Sequence, residues 1–455
     1  MSYEAMYRDA RRIPFWLDRA ERPAAREPLT GDLNCDLAVV GGGFSGLWTA
    51  LLAKEADPSR DVVLVEGDRL AWAASGRNGG FCAASLTHGY DNGATRFGEA
   101  AMPEIERLGM ANLDAIEATV ERLGIDCDFE RTGEVDVATQ PYQLAELGDG
   151  DDVLDAAAIR AELDSPTFLG GAWDKTGVAM LDPAKLAWGL AAAAESLGVR
   201  IIEQTPVRSL NAESSTVELR ADHGVIRAER VALGTNVFQP LLKRLRLFTV
   251  PVYDYVLVTE PLTDAQLESI GWRNRQGFGD SGNQFHYYRL TADNRILWGG
   301  YDAIYHFGRQ VKPEYDDRPA TYETLAGHFV QTFPQLAGIR FSHRWGGAID
   351  TCTRFFSFAG TAAGGKVAYS LGYTGLGVGA TRFGAQAMLD LLDGRDTEVT
   401  RSPIVRTKPL PFPPEPLAYA GIQLTRGALA RADAHEGRRN LWLRSLDRLG
   451  LGFDS

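Results

Sequence analysis

The residues best placed by type and spacing to do chemistry sit near the N-terminus. They are Gly41-Gly42-Gly43-Phe44-Ser45-Gly46, followed twenty residues later by Glu66. Glycines at this spacing open a turn whose backbone N–H groups cradle a pyrophosphate at the start of a helix. Gly41 permits the tight turn, Gly43 leaves space where a side chain would block the anion, and Gly46 lets the helix pack against the preceding strand. Phe44 and Ser45 add their N–H groups to the same cradle. The Glu66 carboxylate can accept hydrogen bonds from both ribose hydroxyls and repels a 2′-phosphate, so the nucleotide is an unphosphorylated ADP-ribose or ADP-ribityl unit. These residues alone serve FAD and NAD equally.

The elements that must position this cradle are legible around it. Residues 37–40 form a short apolar run that reads as a buried parallel strand, and residues 47–56 turn to helical periodicity. A second apolar strand spans 62–65 and ends at Glu66. Strand, glycine turn, helix, strand and acid thus follow one another within about 30 residues, the context the motif requires.

Composition bounds the rest. The chain has 455 residues, 45% apolar and 24% charged, as expected of a globular protein of two or three domains. Its net charge of −13 disfavours non-specific nucleic-acid binding. Cys35, Cys82, Cys127 and Cys352 lie far apart, and the seven histidines show no zinc spacing, so neither a disulfide framework nor a metal site is expected. No stretch has the length and apolarity of a membrane span, nor the first residues those of a secretory signal; a cytoplasmic protein with no membrane partner is the expectation.

Beyond Glu66 the chain continues into Ser75-Gly76-Arg77-Asn78-Gly79-Gly80, where an NAD-type unit would run into another helix and strand. A polar, glycine-rich loop of this kind can bring N–H groups against a planar hydrogen-bonding ring. At this point the sequence resembles the flavin-dependent amine and amino-acid oxidase family, the group of D-amino-acid, glycine and sarcosine oxidases. The loop is most similar to its gamma-glutamylputrescine oxidase branch. Further blocks follow in the family's order. Thr205-Pro206-Val207-Arg208 resembles the segment whose valine pairs with adenine, and Gly234-Thr235-Asn236 the turn passing the pyrophosphate. Ile296-Leu297-Trp298-Gly299-Gly300 resembles a strand of the substrate domain, and Gly372-Tyr373-Thr374-Gly375-Leu376-Gly377-Val378 the late glycine motif at the flavin ring.

The resemblance implies FAD, with Ser75, Gly76, Arg77, Asn78 and Gly79 joining the cofactor site. It also implies an α/β architecture: a discontinuous Rossmann-like FAD-binding domain and an α+β substrate domain with a large, mostly antiparallel sheet. The expected division is an N-terminal arm at 1–30, FAD-binding segments at 31–97, 182–247 and 341–400, substrate-domain segments at 98–181 and 248–340, and a helical tail at 401–455. Residue patterns place a strand at 367–371 with a helix at 380–392, a helix at 183–197, and a hairpin at 216–228 before a core strand at 231–233. Phe15 and Trp16 are expected to pin the arm. In the tail, Arg438, Arg439, Arg444 and Arg448 read as a solvated helix face.

Flavin amine oxidation asks little of side chains: a neutral amine must be held with its α C–H over the ring. Arg77 and Asn78 are candidates for contact with substrate, and Arg77 is equally well read as a structural ion pair. Tyr253 and Tyr255 share one strand face, which either lines the substrate pocket or packs the core, the second reading being favoured. Tyr288, Tyr301 and Asp302 have the same status. His88 and His286 are either polar groups near the ring or buried structural histidines, and Trp345-Gly346 is placed at the flavin edge. Two departures from the family stand out. Cys352 is displaced from the position of the flavin-linking cysteine of sarcosine oxidases, so non-covalent FAD is expected. No lysine stands in residues 295–298, where those enzymes activate oxygen. The expected activity is oxidation of the CH–NH bond of an amine or amino acid to an imine, with oxygen or another carrier as acceptor. An NAD(P)H-linked flavin hydroxylase or reductase and a non-catalytic flavoprotein subunit are the alternatives.

Overall fold

The computed structural model describes residues 2–451. Its first sheet has eight strands. The order along its main path is Phe358–Ala362, Val367–Leu371, Gly224–Leu233, Leu33–Val40, Val62–Val65 and Arg200–Ile202. The inner pairings are parallel. Strands covered on both faces must be apolar throughout, and Val62–Val65 and the end of Leu33–Val40 are fully buried. Two backbone hydrogen bonds fix the strand ends: Gly41 N donates to Val65 O, and Gly234 N to Val40 O, each at 2.9 Å. The glycine turn therefore sits at the carboxyl end of the central strand, where open α/β sheets bind ligands.

Helix Phe44–Ala56 begins in that turn and stops before Asp57-Pro58. It is buried almost throughout between the sheet and helices Gly377–Leu392 and Pro183–Ser196. The latter starts with proline, and the Asp182 carboxylate accepts from Ala184 N and Lys185 N at 3.0 Å. One strand is longer than its sequence suggests. Residues 224–233 run unbroken, pairing with Val217–Ala221 at one end and with the central strand along its length.

The second sheet has nine strands, antiparallel except where Gly277–Asp280 meets Glu134–Ala138. Its long central strand, Val250–Thr259, pairs along its length with Phe341–Thr351. Residues 341–351, expected from sequence within an FAD-binding segment, thus form a strand of this sheet. Helix Pro319–Thr332 covers one face, where Tyr253, Tyr255, Tyr288, Trp298, Tyr322 and Phe329 form an aromatic core. The opposite face packs in part against Phe15, Trp16, Leu17 and helix Pro183–Ser196, and the remainder faces the first sheet across the cavity. Phe15 and Trp16 are buried, and Trp16 Nε1 donates to Asn78 O at 2.8 Å, tying the N-terminal arm to the loop after Glu66.

Among the described residues no helix is long and apolar enough to cross a membrane, and no group of three His, Cys, Asp or Glu could hold a metal ion.

Candidate functional site

A cavity of about 1570 Å³ lies between the two sheets. Pockets for small ligands usually occupy about 300–1,000 Å³, so this one has room for a dinucleotide and a second molecule. Both glycine turns open into it: Gly41, Gly43, Phe44 and Ser45 from the first, Tyr373, Thr374, Gly375, Leu376 and Gly377 from the second.

The first turn is built so that side chains at Gly41 and Gly46 would not fit. Gly41 has φ +113°, and a Cβ there would stand 2.4 Å from Gly234 O. A Cβ at Gly46 would stand 1.8 Å from Gly41 O. Gly46 therefore supports the turn from behind instead of lining the cavity, and Gly76 and Gly372 are likewise set back from the lining. Ser45 Oγ and Tyr373 Oη are 3.3 Å apart, joining the two turns directly, and Tyr373 Oη also donates to Ser370 Oγ at 2.7 Å.

Glu66 lies at the cavity wall, 8% exposed, and burial pushes its pKa upward. Its carboxylate accepts from Gly42 N at 2.5 Å and from Asp68 N and Trp72 Nε1 at 2.9 Å. A carboxylate has about four acceptor positions, so capacity for a ribose hydroxyl remains. Val207, Gly234, Thr235 and Asn236 line the same region. Trp72 and Phe238 pack there with ring centroids 5.3 Å apart; neither was singled out from sequence, since nothing local distinguishes them from core aromatics. The narrow glycine cradle, the buried carboxylate and the second glycine turn fit an FAD laid across the strand ends.

Asp350 was also missed. It lies in strand Phe341–Thr351, 3% exposed, and its carboxylate accepts from Gly372 N at 2.6 Å and Tyr373 N at 3.2 Å. It thereby holds the second turn open. Burial raises its pKa to about 7 against the opposing pull of those amides.

Ser75, Arg77, Asn78 and Gly79 reach the lining, but their polar atoms are engaged in holding the loop. Ser75 Oγ accepts from Phe44 N at 2.9 Å. Asn78 Nδ2 donates to Ala74 O and Ser75 O, while its Oδ1 accepts from Gly80 N. Arg77 Nη1 donates to Asp316 Oδ2 at 2.5 Å and to Gly346 O at 2.8 Å, and its Nε to Trp72 O. The structure thus shows the ion-pair reading of Arg77, bridging the loop to the second sheet. Trp345 Nε1 donates to Arg77 O at 2.9 Å, and neither Trp345 nor Gly346 lines the cavity.

Of the two readings of the strand tyrosines, pocket lining and core packing, the described contacts are those of the core. Tyr255 and Tyr288 are fully buried away from the cavity. Tyr255 Oη donates to Tyr315 O at 2.8 Å, and Tyr288 stacks on Phe278 with an interplanar angle of 6°. Tyr253 touches the lining but is 0% exposed, its ring packed against Tyr315 and His306. Side chains alternate along a strand, so the cavity receives the intervening residues, Asp254 and Tyr287. Tyr287 Oη donates to Asp254 Oδ2 at 2.5 Å. Burial raises the Asp254 pKa to about 6 and the Tyr287 phenol well above its ordinary value. Glycines clear space for this ring: a Cβ at Gly299 or Gly79 would stand 2.4 Å or 2.8 Å from it.

Tyr301 and Asp302 line the cavity, Asp302 being held by Arg318 and Thr321. His88 lines it too, with Nε2 2.6 Å from Thr374 O, and burial lowers its pKa. His286 does not; it pairs with Asp280 and His328 behind the sheet. Cys352 is buried outside the lining, its Sγ donating to Phe356 O at 3.1 Å.

Comparison with known proteins adds an independent line. A family model described as FAD dependent oxidoreductase (DAO) matches residues 36–391. The chain is 31% identical over 398 residues to the gamma-glutamylputrescine oxidoreductase of Escherichia coli strain K12, covering 84% of this chain and 88% of that protein. It is 26% identical over 403 residues to a probable oxidoreductase OrdL of Haemophilus influenzae, covering 85% and 89%. Among solved structures, glycine oxidase from Geobacillus kaustophilus superposes with a TM-score of 0.67 at 19% identity, over 83% of this chain and all of that one.

Proposed function

The chain belongs to the family of FAD dependent oxidoreductases, and from that premise we propose that it oxidises the CH–NH bond of a primary or secondary amine, or of an amino acid, to an imine that water hydrolyses. One observation carries this reading. The face of the second sheet bearing Asp254 and Tyr287 opens into the same cavity as both glycine turns, so cofactor and substrate share one chamber. The names of the E. coli relative and of the glycine oxidase neighbour support nitrogen-bearing substrates.

FAD supplies the acceptor for the hydride leaving the α-carbon. The protein's residues bind and orient. The N–H groups of Gly43 and Ser45, at the start of helix Phe44–Ala56, would hold the pyrophosphate and Glu66 the ribose, while Phe44 N is held by Ser75 Oγ and fixes the loop beside them. The start of helix Gly377–Leu392 opens into the same cavity, and its positive dipole end would stabilise negative charge on a flavin held there. On the opposite wall, ionised Asp254 takes the Tyr287 proton in a hydrogen bond and so turns a phenol oxygen lone pair to the chamber, where it accepts an N–H of the neutral amine.

The test is anaerobic mixing of purified holoenzyme with a panel of amines and amino acids, followed by admission of oxygen. Bleaching of the flavin band by an amine, with peroxide on re-oxidation where oxygen is the acceptor, is the expected result. A flavin that no amine or amino acid bleaches would rule the reading out.

A further inference from the structure

The matched family region ends at residue 391, yet the cavity does not. Helix Leu417–Asp433 contributes Ala418, Ile422, Thr425, Arg426 and Leu429 to the wall. Ala418, Ile422, Thr425 and Leu429 recur every three or four residues, and Arg426 stands four after Ile422, so all five lie on one side of the helix. The helix is fastened over the second sheet's side of the chamber. The Asp433 carboxylate accepts from Asn283 N and Nδ2 and from Gln284 N, and Gln423 Nε2 donates to Tyr305 O at 3.1 Å. Helix Leu441–Arg448 packs beside it and reaches the same wall through Trp442 and Leu446, Trp442 Nε1 donating to Thr425 Oγ1 at 3.0 Å.

Arg426 is the unusual member of this wall. A guanidinium has five N–H donors, and Arg426 uses Nη1 on the neutral Gln423 Oε1 at 3.2 Å. No carboxylate of the described residues pairs with it. Other cations of the lining are accounted for differently. Arg77 is matched by Asp316 and Arg208 by Asp222, while Lys243 follows Leu241 and Leu242, which pack, as Val207 does, against the first sheet's core. In a chain with 60 acidic and 47 basic residues, a half-buried arginine that pairs with no acid of the described residues at this end of the cavity has donors to offer a ligand.

We propose that Arg426 is a specificity-determining residue that binds a carboxylate of the substrate remote from the oxidised C–N bond. The substrate class is then an amine carrying a distal acid, held with the amine toward the flavin and the acid toward the C-terminal helix. The substrate class rests on the amine-oxidising reading above; the anion site itself does not. Planar, bidentate recognition of a carboxylate is what a guanidinium does better than an ammonium.

The experiment compares wild type with Arg426→Gln and Arg426→Lys holoenzymes on matched pairs, 4-aminobutanoate and 6-aminohexanoate against their carboxamides. Wild type is expected to favour each carboxylate. Arg426→Gln should raise KM for the carboxylates about tenfold to a hundredfold, the range of a charged hydrogen bond, with kcat changed less than about threefold and the carboxamides unaffected. Arg426→Lys should recover part of the loss. In parallel, hexanoate is titrated into each holoenzyme and followed by perturbation of the flavin absorption band. Its Kd should weaken at least about tenfold in Arg426→Gln. Equal treatment of acid and amide by wild type, or a Kd indifferent to Arg426, overturns the proposal. Arg426-dependent hexanoate binding in an enzyme that no amine bleaches would uphold the anion site while removing the amine reaction.

Discussion

Asp350 carries an electrostatic tension on which the second glycine turn depends. Its carboxyl is buried beneath the second glycine turn, with the pKa raised to about 7, although two amides favour the ionised form. A folded-state pKa above the ordinary 3.8 means that the native protein holds a proton that the unfolded chain gives up. This group's contribution is thus full below pH ~4 and declines as pH rises towards 7. The substitution Asp350→Asn, which keeps an acceptor for one amide, should therefore gain stability relative to wild type as pH is raised from 4 to 7.5. The gain should be about 1–3 kcal/mol at the upper end, within what such a pKa displacement allows. Thermal melts of apo protein across that range check it. A constant difference between the two proteins would show that Asp350 does not titrate there.

At the scale of the element, the strands of the second sheet divide their residues between two environments. Tyr288 faces helix Pro319–Thr332 and the aromatic core, whereas its neighbour Tyr287 faces the chamber and Asp254. The same alternation separates Tyr253 and Tyr255 from Asp254. Replacing Tyr288 by Phe removes a long 3.4 Å hydrogen bond to Asp280 and should cost less than about 1.5 kcal/mol, with turnover unchanged. Replacing Tyr287 by Phe leaves a buried carboxylate without its phenol donor and removes a cavity hydroxyl. It should lower kcat/KM about tenfold to a hundredfold and shift the acid limb of the pH profile. Steady-state kinetics and melting of the two variants side by side test the strand orientation; a reversed pattern would contradict it.

At the scale of the molecule, the two glycine turns come from opposite ends of the chain and meet at one cavity, joined through Ser45 and Tyr373. A ligand spanning both turns binds the folded state alone. FAD at about a hundred times its Kd should then stabilise the protein by about 2.7 kcal/mol, raising the melting temperature by several degrees over apo protein. Calorimetry with increasing FAD measures this; a melting temperature indifferent to FAD would mean that the turns do not share the ligand.

What the sequence determined by itself was local in origin. The strand at Leu33–Val40, the turn, the helix at Phe44–Ala56 and Glu66 are neighbours along the chain. Glycine at Gly41 and Gly46 is demanded by contacts within that unit or with the adjoining Gly234. The late strand and helix at Val367–Leu371 and Gly377–Leu392 were legible for the same reason. Periodicity also showed that Tyr253 and Tyr255 share a face, but a period of two says nothing about which face a distant helix will cover. Only the packing of Pro319–Thr332 decided that. Likewise, only the ladder to Val250–Thr259 assigned residues 341–351 to the second sheet, and only tertiary contact turned the C-terminal helix into a wall of the chamber. Backbone conformation answers to adjacent residues, whereas the side of an element that becomes functional answers to partners far along the chain.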